Sequence, residues 1–266
     1  MRAVAAESAG ADVWTEIAWL AVAAAADEPV LRHVVADARL MEAAPDRIVA
    51  AVLARRLAGG DTELAAALQA LFLEVLDAAP HLLREIENDL LTVIRRDPAC
   101  RSPLHALLDL KGLHALQTHR IAHRLWQEER FDMAHRLGGL ASAALGVDIH
   151  PAAPIGRGVL LDHATGIVIG ETAVVGDNVT ILQGVTLGAT GKQRGDRHPK
   201  VRAGVLLGAG ALVLGNIEIG AMSKVGAGSV VLRPVPPHCT VAGVPARVVR
   251  TPADRSVGLA GCRSAA

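Results

Sequence analysis

The sequence predicts an α+β protein in which an all-helical first half is followed by a parallel β-helix. Two observations carry this prediction. Up to about Gly138, apolar residues recur at steps of three and four, which is typical of amphipathic helices. After Gly146 they recur every six residues, a period that fits neither a helix nor an alternating strand. Six-residue periods instead indicate short flat faces joined by tight corners, stacked coil on coil.

The helical half divides into about six predicted helices. Proline and glycine residues separate them, and the apolar stripes are clear in two places, Leu64-Leu68-Leu71-Val75 and Leu83-Ile86-Leu90-Ile94. Asp61 and Ser102, the latter followed by Pro103, are predicted helix caps. This half contains no catalytic motif of its own. We therefore expect residues 1–145 to form a helical domain for oligomerisation and support.

Residues 146–250 form the predicted β-helix, which is the expected catalytic domain. Two irregularities interrupt its period: two additional residues near Gly166 and a polar loop over 189–200. A loop thrown out of a solenoid costs little closure entropy and often carries function. The predicted inward positions are Ile155, Leu161, Ile169, Val175, Ile181, Leu187, Val201, Leu207, Val213, Ile219, Val225 and Val231.

Composition limits the partners and the cellular compartment that can be expected. The formal net charge is zero, so charge gives no reason to expect a nucleic-acid partner. The apolar stretch from Ile17 to Ala26 is too short to span a bilayer, and we expect no membrane partner. Cys100, Cys239 and Cys262 are odd in number and far apart, which argues against a secreted disulfide framework. We expect a cytoplasmic protein with a flexible tail at 251–266.

His119 and His123 have the i, i+4 spacing of a helical metal pair. No Glu follows His119 directly, and no third ligand stands nearby in the sequence. We therefore expect packing or interface histidines and no metal site.

Three segments behind a helical half carry a more specific resemblance. They are Asp148-Ile149-His150-Pro151-Ala152-Ala153, Leu161-Asp162-His163-Ala164-Thr165-Gly166 and the loop from Gly191 to Lys200. In this order the chain resembles the serine acetyltransferases of the hexapeptide-repeat acyltransferase superfamily. The resemblance implies a left-handed β-helix, acetyl-CoA as the co-substrate and L-serine as the acceptor. The product would be O-acetyl-L-serine, the first intermediate on the route from serine to cysteine.

The chemistry agrees with that resemblance. Transfer of an acyl group to an alcohol needs a base to remove the hydroxyl proton, and imidazole titrates in the useful range. We assign this role to His163. Asp148, one coil earlier, is the predicted carboxylate that orients it by analogy with other acid–imidazole pairs. The adjacent Asp162 is less suited, because neighbours in a strand point to opposite faces. No covalent enzyme intermediate is required.

The resemblance also implies the remaining site residues. Asp97 and Asp162 match residues around the substrate's ammonium group, and Arg197 and His198 match those around its carboxylate. Coenzyme A is expected in a groove between coils of neighbouring subunits, where small residues allow a close approach and Arg247 or Arg250 meets a phosphate. The small residues are Gly188, Gly208, Ala209 and Ala227.

The resemblance further implies a homo-oligomer, as a trimer or a dimer of trimers, and feedback inhibition by L-cysteine. In many members of the family, a C-terminal tail that ends in Ile inserts into O-acetylserine sulfhydrylase. This chain ends in Gly261-Cys262-Arg263-Ser264-Ala265-Ala266, a departure that argues against that complex.

Three other functions remain open at this stage. The first is acyl transfer to a sugar or an antibiotic. The second is a zinc hydratase of the γ-carbonic-anhydrase kind, which needs three His ligands that His150, His163 and His198 do not supply at the expected spacing. The third is a non-catalytic scaffold.

Overall fold

The structure, a computed structural model, describes residues 12–38, 40, 44–192 and 194–253. Most of the predicted tail, including Cys262, lies outside these residues. Within them, eight helices precede fourteen strands. The helices are α1 (Val13–Asp27), α2 (Leu31–Asp37), α3 (Pro45–Ala58), α4 (Thr62–Ala78), α5 (His81–Arg96), α6 (Pro103–Asp109), α7 (Lys111–Gln127) and α8 (Phe131–Leu145).

Helices α1 to α6 belong to a first compact unit that ends at Leu110. Within this unit α3 packs against α4, and α1 contacts α2 and α6. Both predicted caps are present. The Asp61 carboxylate accepts a hydrogen bond from the backbone N–H of Leu64 at 2.9 Å, and the Ser102 hydroxyl accepts one from that of His105 at 3.1 Å. Each cap satisfies one of the backbone donors that a helix leaves unpaired in its first turn.

The second compact unit begins at Lys111, earlier than the change of sequence period at residue 146. The reason is packing: α7 contacts the strand Leu160–Asp162 and α8 contacts the strand Asp148–Ile149. The hydrophobic period marks where the secondary structure changes, whereas contacts decide which elements form one body. The predicted first domain, 1–145, therefore contains two helices that fold onto the β-helix.

The β-helix consists of short strands in three sheets. Sheet A has the order β1-β3-β6-β9-β12, sheet B the order β10-β7-β4, and sheet C the order β14-β13-β11-β8-β5-β2. All pairs are parallel except β13 with β14, which confirms the predicted parallel β-helix. The strands are β1 (Asp148–Ile149), β2 (Leu160–Asp162), β3 (Val168–Ile169), β4 (Val174–Val175), β5 (Thr180–Leu182), β6 (Thr186–Gly188), β7 (Lys200–Val201), β8 (Leu206–Leu207), β9 (Leu212–Leu214), β10 (Glu218–Ile219), β11 (Lys224–Val225), β12 (Val230–Val231), β13 (Thr240–Gly243) and β14 (Ala246–Arg250).

The six-residue period fills the interior as predicted. In sheet C the register stacks Leu161 on Ile181, Ile181 on Leu207, and Leu207 on Val225. All four side chains are buried. Among the predicted inward positions only Ile155 is partly exposed, because it lies in the first coil and has no coil before it to cover it.

Helix α7 lies over that first coil, and side chains of the helix contact backbone carbonyl oxygens of the coil. The His119 ring nitrogen Nε2 is 3.0 Å from the carbonyl oxygen of Ala153, and His123 Nδ1 is 2.7 Å from that of Pro151. These histidines are thus packing residues, as expected from the sequence. Among the described residues no group of three or more His, Cys, Asp or Glu side chains is arranged to hold a metal ion.

Within the described ranges, no helix taken alone is long and apolar enough to cross a membrane. Helices α4 and α5 together meet those criteria, but they are bent by 105° where they join.

Candidate active site

His163 lies in a two-residue insertion at the edge where sheet C passes into sheet A. Along this edge the residue before each corner glycine accepts a hydrogen bond from the next coil's corner glycine: Gly184 N–H donates to Thr165 at 2.8 Å and Gly210 N–H donates to Gln183 at 2.8 Å. Asp162 is in register with Leu182. Only Gln183 lies between Leu182 and the corner glycine Gly184, whereas three residues lie between Asp162 and the corner glycine Gly166. The additional two are His163 and Ala164. We call residues 162–166 the His163 bulge.

The backbone of the bulge is wound unusually tightly. His163 and Ala164 have φ angles of +54° and +60°, in the left-handed region that disfavours side chains. Two successive i to i+2 hydrogen bonds close the turn: Ala164 N–H donates to Asp162 at 2.6 Å, and Thr165 N–H donates to His163 at 2.8 Å. Such three-residue turns are rare and strained. The Ala164 side chain is fully buried, whereas that of His163 is 74% exposed.

The structure changes the expected relation between His163 and its two candidate carboxylates. His163 follows strand β2 and does not belong to it, so the alternation of neighbours in a strand does not separate it from Asp162. His163 Nε2 lies 3.9 Å from Asp162 Oδ1, close enough for an ion pair but too far for a hydrogen bond. Asp148 lies on the outer side of sheet A in the preceding coil, two residues past the corner at Gly146.

No hydrogen bond joins Asp148 to His163 among the described residues. Asp148 is exposed and in register with Val168, two residues beyond the bulge. The assignment of Asp148 as the orienting carboxylate therefore stays a prediction. Catalytic hydrogen bonds are often long in proteins without bound substrate and shorten in the complex.

Arg197 and His198 are held together at the opposite edge, where sheet A passes into sheet B. The Thr172 hydroxyl accepts hydrogen bonds from the backbone N–H groups of Arg197 at 3.0 Å and His198 at 3.1 Å. It also lies 2.8 Å from His198 Nδ1. A Cβ atom at Gly170 would come within 2.1 Å of His198 Nε2, so only glycine leaves room for this ring.

Lys200 fixes the end of the loop that carries both residues. Its ammonium group donates to the carbonyl oxygens of Thr172 at 2.7 Å and His198 at 2.9 Å, and to Asp196 Oδ1 at 2.5 Å. The polar loop predicted at 189–200 is therefore tied to the coil beneath it. The described ends of the loop are Ala189–Lys192 and Arg194–Pro199.

Charge at this edge is dominated by an ion pair that the sequence did not reveal. Arg197 Nη2 donates to Glu171 Oε2 at 2.6 Å, which holds the pKa of Glu171 below its usual range. Burial is the main cause of the lowered pKa of His198, and the Arg197 charge adds to it. Burial likewise lowers the pKa of nearby His150. Both imidazoles therefore favour the neutral form at neutral pH.

Within one chain the predicted substrate groups are divided between two edges of sheet A. The bulge with Asp162 and His163 lies at one edge, and Arg197 with His198 lies at the other. Gly170 comes four residues after Gly166 along extended chain, a span of about 13 Å at about 3.3 Å per residue. Asp97 belongs to the first compact unit, where its carboxylate accepts a hydrogen bond from the Ala99 N–H at 2.8 Å.

Three of the four small residues predicted to contact coenzyme A share the edge that carries His163. Ala209 and Ala227 occupy the corners one and two coils beyond Gln183, linked by the hydrogen bond from Gly228 N–H to Ala209 at 2.8 Å. A Cβ atom at Gly208 would lie 2.6 Å from the backbone nitrogen of Ala227. Gly188 is different, because it ends strand β6 at the far side of sheet A. Arg247 is exposed on β14, as is Arg250.

Sequence reasoning missed three residues that shape the edge carrying Arg197 and His198. Glu171 and Thr172 were not singled out, and Lys200 was noted only as the last residue of the loop. Their signal was weak: a polar pair directly after Gly170, and a lysine at the end of the loop. Only the fold shows that they converge on Arg197 and His198.

Comparison with protein families identifies residues 13–118 with the family model "Serine acetyltransferase, N-terminal". The chain is 58% identical to a serine acetyltransferase of Salmonella typhimurium over 179 residues, which cover 67% of this chain and 66% of that protein. That alignment thus spans slightly less than two thirds of the relative's length. A serine acetyltransferase of Haemophilus influenzae is 48% identical over 238 residues, which cover 90% of this chain and 89% of that protein.

Solved structures give the same result. A soybean serine acetyltransferase complexed with serine superposes with a TM-score of 0.86 at 48% identity, covering 89% of this chain and 97% of that one. A serine acetyltransferase of Brucella abortus in complex with coenzyme A gives 0.86 at 48% identity, with coverage of 90% and 96%. A serine acetyltransferase in complex with cysteine gives 0.86 at 47% identity, with coverage of 90% and 99%.

Proposed function

Because the chain belongs to the serine acetyltransferase family, we propose that it transfers the acetyl group of acetyl-CoA to the hydroxyl of L-serine. The observation that carries the proposal is the His163 bulge. It presents a strongly exposed imidazole on the same edge of the β-helix as a row of small corner residues. Attack of a hydroxyl on the acetyl thioester requires a base, and the long pantetheine arm that carries the thioester requires a narrow groove lined by small side chains.

In the proposed reaction His163 acts as the general base. Its imidazole takes the proton of the serine hydroxyl while that oxygen bonds to the thioester carbonyl carbon. When the tetrahedral intermediate collapses, the carbon–sulfur bond breaks and the imidazolium returns the proton to the CoA thiolate. Asp148 moves into hydrogen-bonding distance of the ring and stabilises the imidazolium. General-base assistance of this kind contributes roughly 10² to 10⁴ in rate.

Opposed charges would select serine as the acceptor. Asp162 attracts the ammonium group, and Arg197 forms a bidentate contact with the carboxylate. In the structure Arg197 is already paired with Glu171. The incoming carboxylate therefore shares or displaces that partner, and neutral His198 donates one further hydrogen bond.

Acetyl-CoA would lie along the edge that carries the bulge. Successive coils are about 4.8 Å apart, so Ala209 and Ala227 stand roughly 10 Å and 15 Å from the bulge along the axis. The thioester would then be at His163 and the pantetheine arm over the small residues. Arg247 or Arg250 would meet a phosphate farther along.

The division of the site supports assembly as a homo-oligomer. One chain places its base and its carboxylate-binding residues at opposite edges of sheet A. A neighbouring copy that places its Arg197 edge against the His163 edge of the first chain would complete a pocket. A trimer would repeat this arrangement at each of its interfaces, and so would each half of a dimer of trimers. L-Cysteine, which matches serine in both charged groups, would compete for this pocket and inhibit.

The three alternatives make different predictions. A sugar or antibiotic acyltransferase would release thiol with those acceptors and not with serine. A zinc hydratase would bind stoichiometric zinc and hydrate carbon dioxide. A scaffold would release no thiol with any acceptor.

The test follows free thiol from acetyl-CoA in the presence of L-serine, L-homoserine, a hexosamine or no acceptor. We expect serine-dependent release, inhibition by L-cysteine that serine overcomes, and a loss of at least about 100-fold in kcat for His163→Ala. The exposed His238→Ala on the same β-helix is the matched control and should retain activity. Absence of serine-dependent release by the wild type would overturn the proposal.

A further inference from the structure

We propose that the first two residues of helix α7, Lys111 and Gly112, form a brace that positions His163 for catalysis. The inference rests on the proposed function, since it assigns His163 as the base. Lys111 and Gly112 touch neither the imidazole nor any predicted substrate group. Gly112 contacts Leu161, directly before the His163 bulge, and Lys111 contacts Thr165, near the end of the bulge, so we describe both as positioning residues.

The bulge needs an external support because its own backbone is strained. Both inserted residues have left-handed φ angles, and the imidazole projects into solvent with 74% of the side chain exposed. Buried Ala164 anchors the middle of the bulge, but a single methyl group does not define the direction of its neighbour. Strained local conformations persist only where the surrounding structure over-determines them.

Gly112 supports the beginning of the bulge. A Cβ atom built on Gly112 would lie 1.9 Å from the carbonyl oxygen of Leu161, the residue before Asp162. Helix and strand are therefore in backbone contact at this point. Gly112 has an ordinary helical conformation, so the requirement for glycine comes from this close approach and not from the backbone angles.

Lys111 supports the end of the bulge. Its ammonium group donates a short hydrogen bond to the hydroxyl of Thr165. The backbone carbonyl oxygen of Thr165 accepts a hydrogen bond from the N–H of Gly184 in the next coil at 2.8 Å. Adjacent residues of one helix thus contact Leu161, two residues before His163, and Thr165, directly after Ala164.

The rest of α7 is fixed to the same coil, which makes the helix a stiff support. His119 and His123 contact carbonyl oxygens of the first coil as described above. Arg120, which is buried, donates to the carbonyl oxygen of Gly156 at 2.8 Å. A helix held along its length transmits a displacement at its first turn directly to the bulge.

The first experiment removes the Lys111 contact without removing bulk. We expect Lys111→Met to lower kcat for serine acetylation by about 10-fold or more, because small misplacements of a catalytic group cost up to about 100-fold. The KM values for serine and acetyl-CoA should change less than about threefold. Lys111→Arg should restore most of the kcat, and the exposed Lys224→Met on sheet C is the charge-matched control.

A second pair of variants tests the same contact from its other end. Thr165→Val should lower kcat as Lys111→Met does, and the double variant should be no worse than either single one, because both remove one interaction. Hydrogen exchange of the peptide 160–168 should accelerate in each variant. This readout does not depend on catalysis.

Gly112→Ala tests the close approach. Alanine is the better helix former, so this change would stabilise α7 if the contact with Leu161 did not matter. Gly139→Ala in α8 is the matched control, because a Cβ atom there meets nothing within 4 Å. We expect Gly112→Ala to lose kcat and to accelerate exchange in 160–168, and Gly139→Ala to do neither.

The outcomes separate this inference from the proposed function. An inactive wild type would overturn the acetyltransferase proposal. An active wild type in which Lys111→Met keeps its kcat, with unchanged exchange in 160–168, would overturn the brace alone. So would a loss in Lys111→Met that appears only as a raised KM, since that would indicate direct substrate binding.

Discussion

Acidification should loosen helix α7 from the β-helix, because His119 is buried in its neutral form. The side chain is 5% exposed, and burial lowers its pKa to about 3, with the charges of His123 and Arg120 acting in the same direction. In the unfolded chain a histidine titrates near pH 6.5. Below that pH the unfolded state binds a proton that the folded state excludes, so stability falls as the pH drops from about 6.5 toward 3.

The size of the effect follows from the slope for one proton, about 1.4 kcal/mol per pH unit. Between pH 6.5 and pH 5.0, His119 alone should therefore lower the free energy of unfolding by roughly 2 kcal/mol. His150 and His198, whose pKa values are also lowered, act in the same window. The carboxylates with lowered pKa values act mainly at lower pH. The contribution of His119 is isolated by comparing the wild type with a variant.

The assay is urea unfolding at several pH values between 7.5 and 5.0, at one protein concentration. His119→Gln removes the titrating group and keeps a side-chain donor for the carbonyl oxygen of Ala153. We expect the variant to be less stable at pH 7.5 but to lose about 2 kcal/mol less than the wild type on acidification. His33→Gln, at an exposed position, should follow the wild type. Parallel pH dependences for His119→Gln and the wild type would refute the reasoning.

Two further predictions concern the edge that carries Arg197 and His198. Gly170→Ala should displace the His198 ring, since the added methyl group would lie 2.1 Å from Nε2, and raise the KM for serine at least about tenfold while kcat changes less. An unchanged KM would show that this ring does not bind substrate. Lys200→Met should free the loop over 189–200, which limited trypsin digestion would detect as faster cleavage after Arg194 or Arg197. Equal cleavage rates in variant and wild type would contradict that role for Lys200.

The sequence by itself determined the architecture of the β-helix. A six-residue repeat of aliphatic side chains is a strong local signal, because every coil must bury the same face against its neighbours. Because the repeat is so regular, departures from it are visible in the sequence. The two-residue insertion and the loop over 189–200 were predicted in this way, before any contact was known. His163 was identifiable because an ionisable residue replaced a position that the repeat normally fills otherwise.

Tertiary structure alone decided how those interruptions are supported. The sequence placed α7 with the helical half, since its period is helical, whereas its contacts put it on the first coil and beside the bulge. Lys111 and Gly112 are remote in sequence from Thr165 and Leu161, and only packing brings Lys111 to Thr165 and Gly112 to Leu161. Alternation in strands had separated Asp162 from His163, but the left-handed turn after β2 places them 3.9 Å apart. Periodicity reports which face of an element is buried, while the direction of a side chain in a strained turn depends on what packs against it.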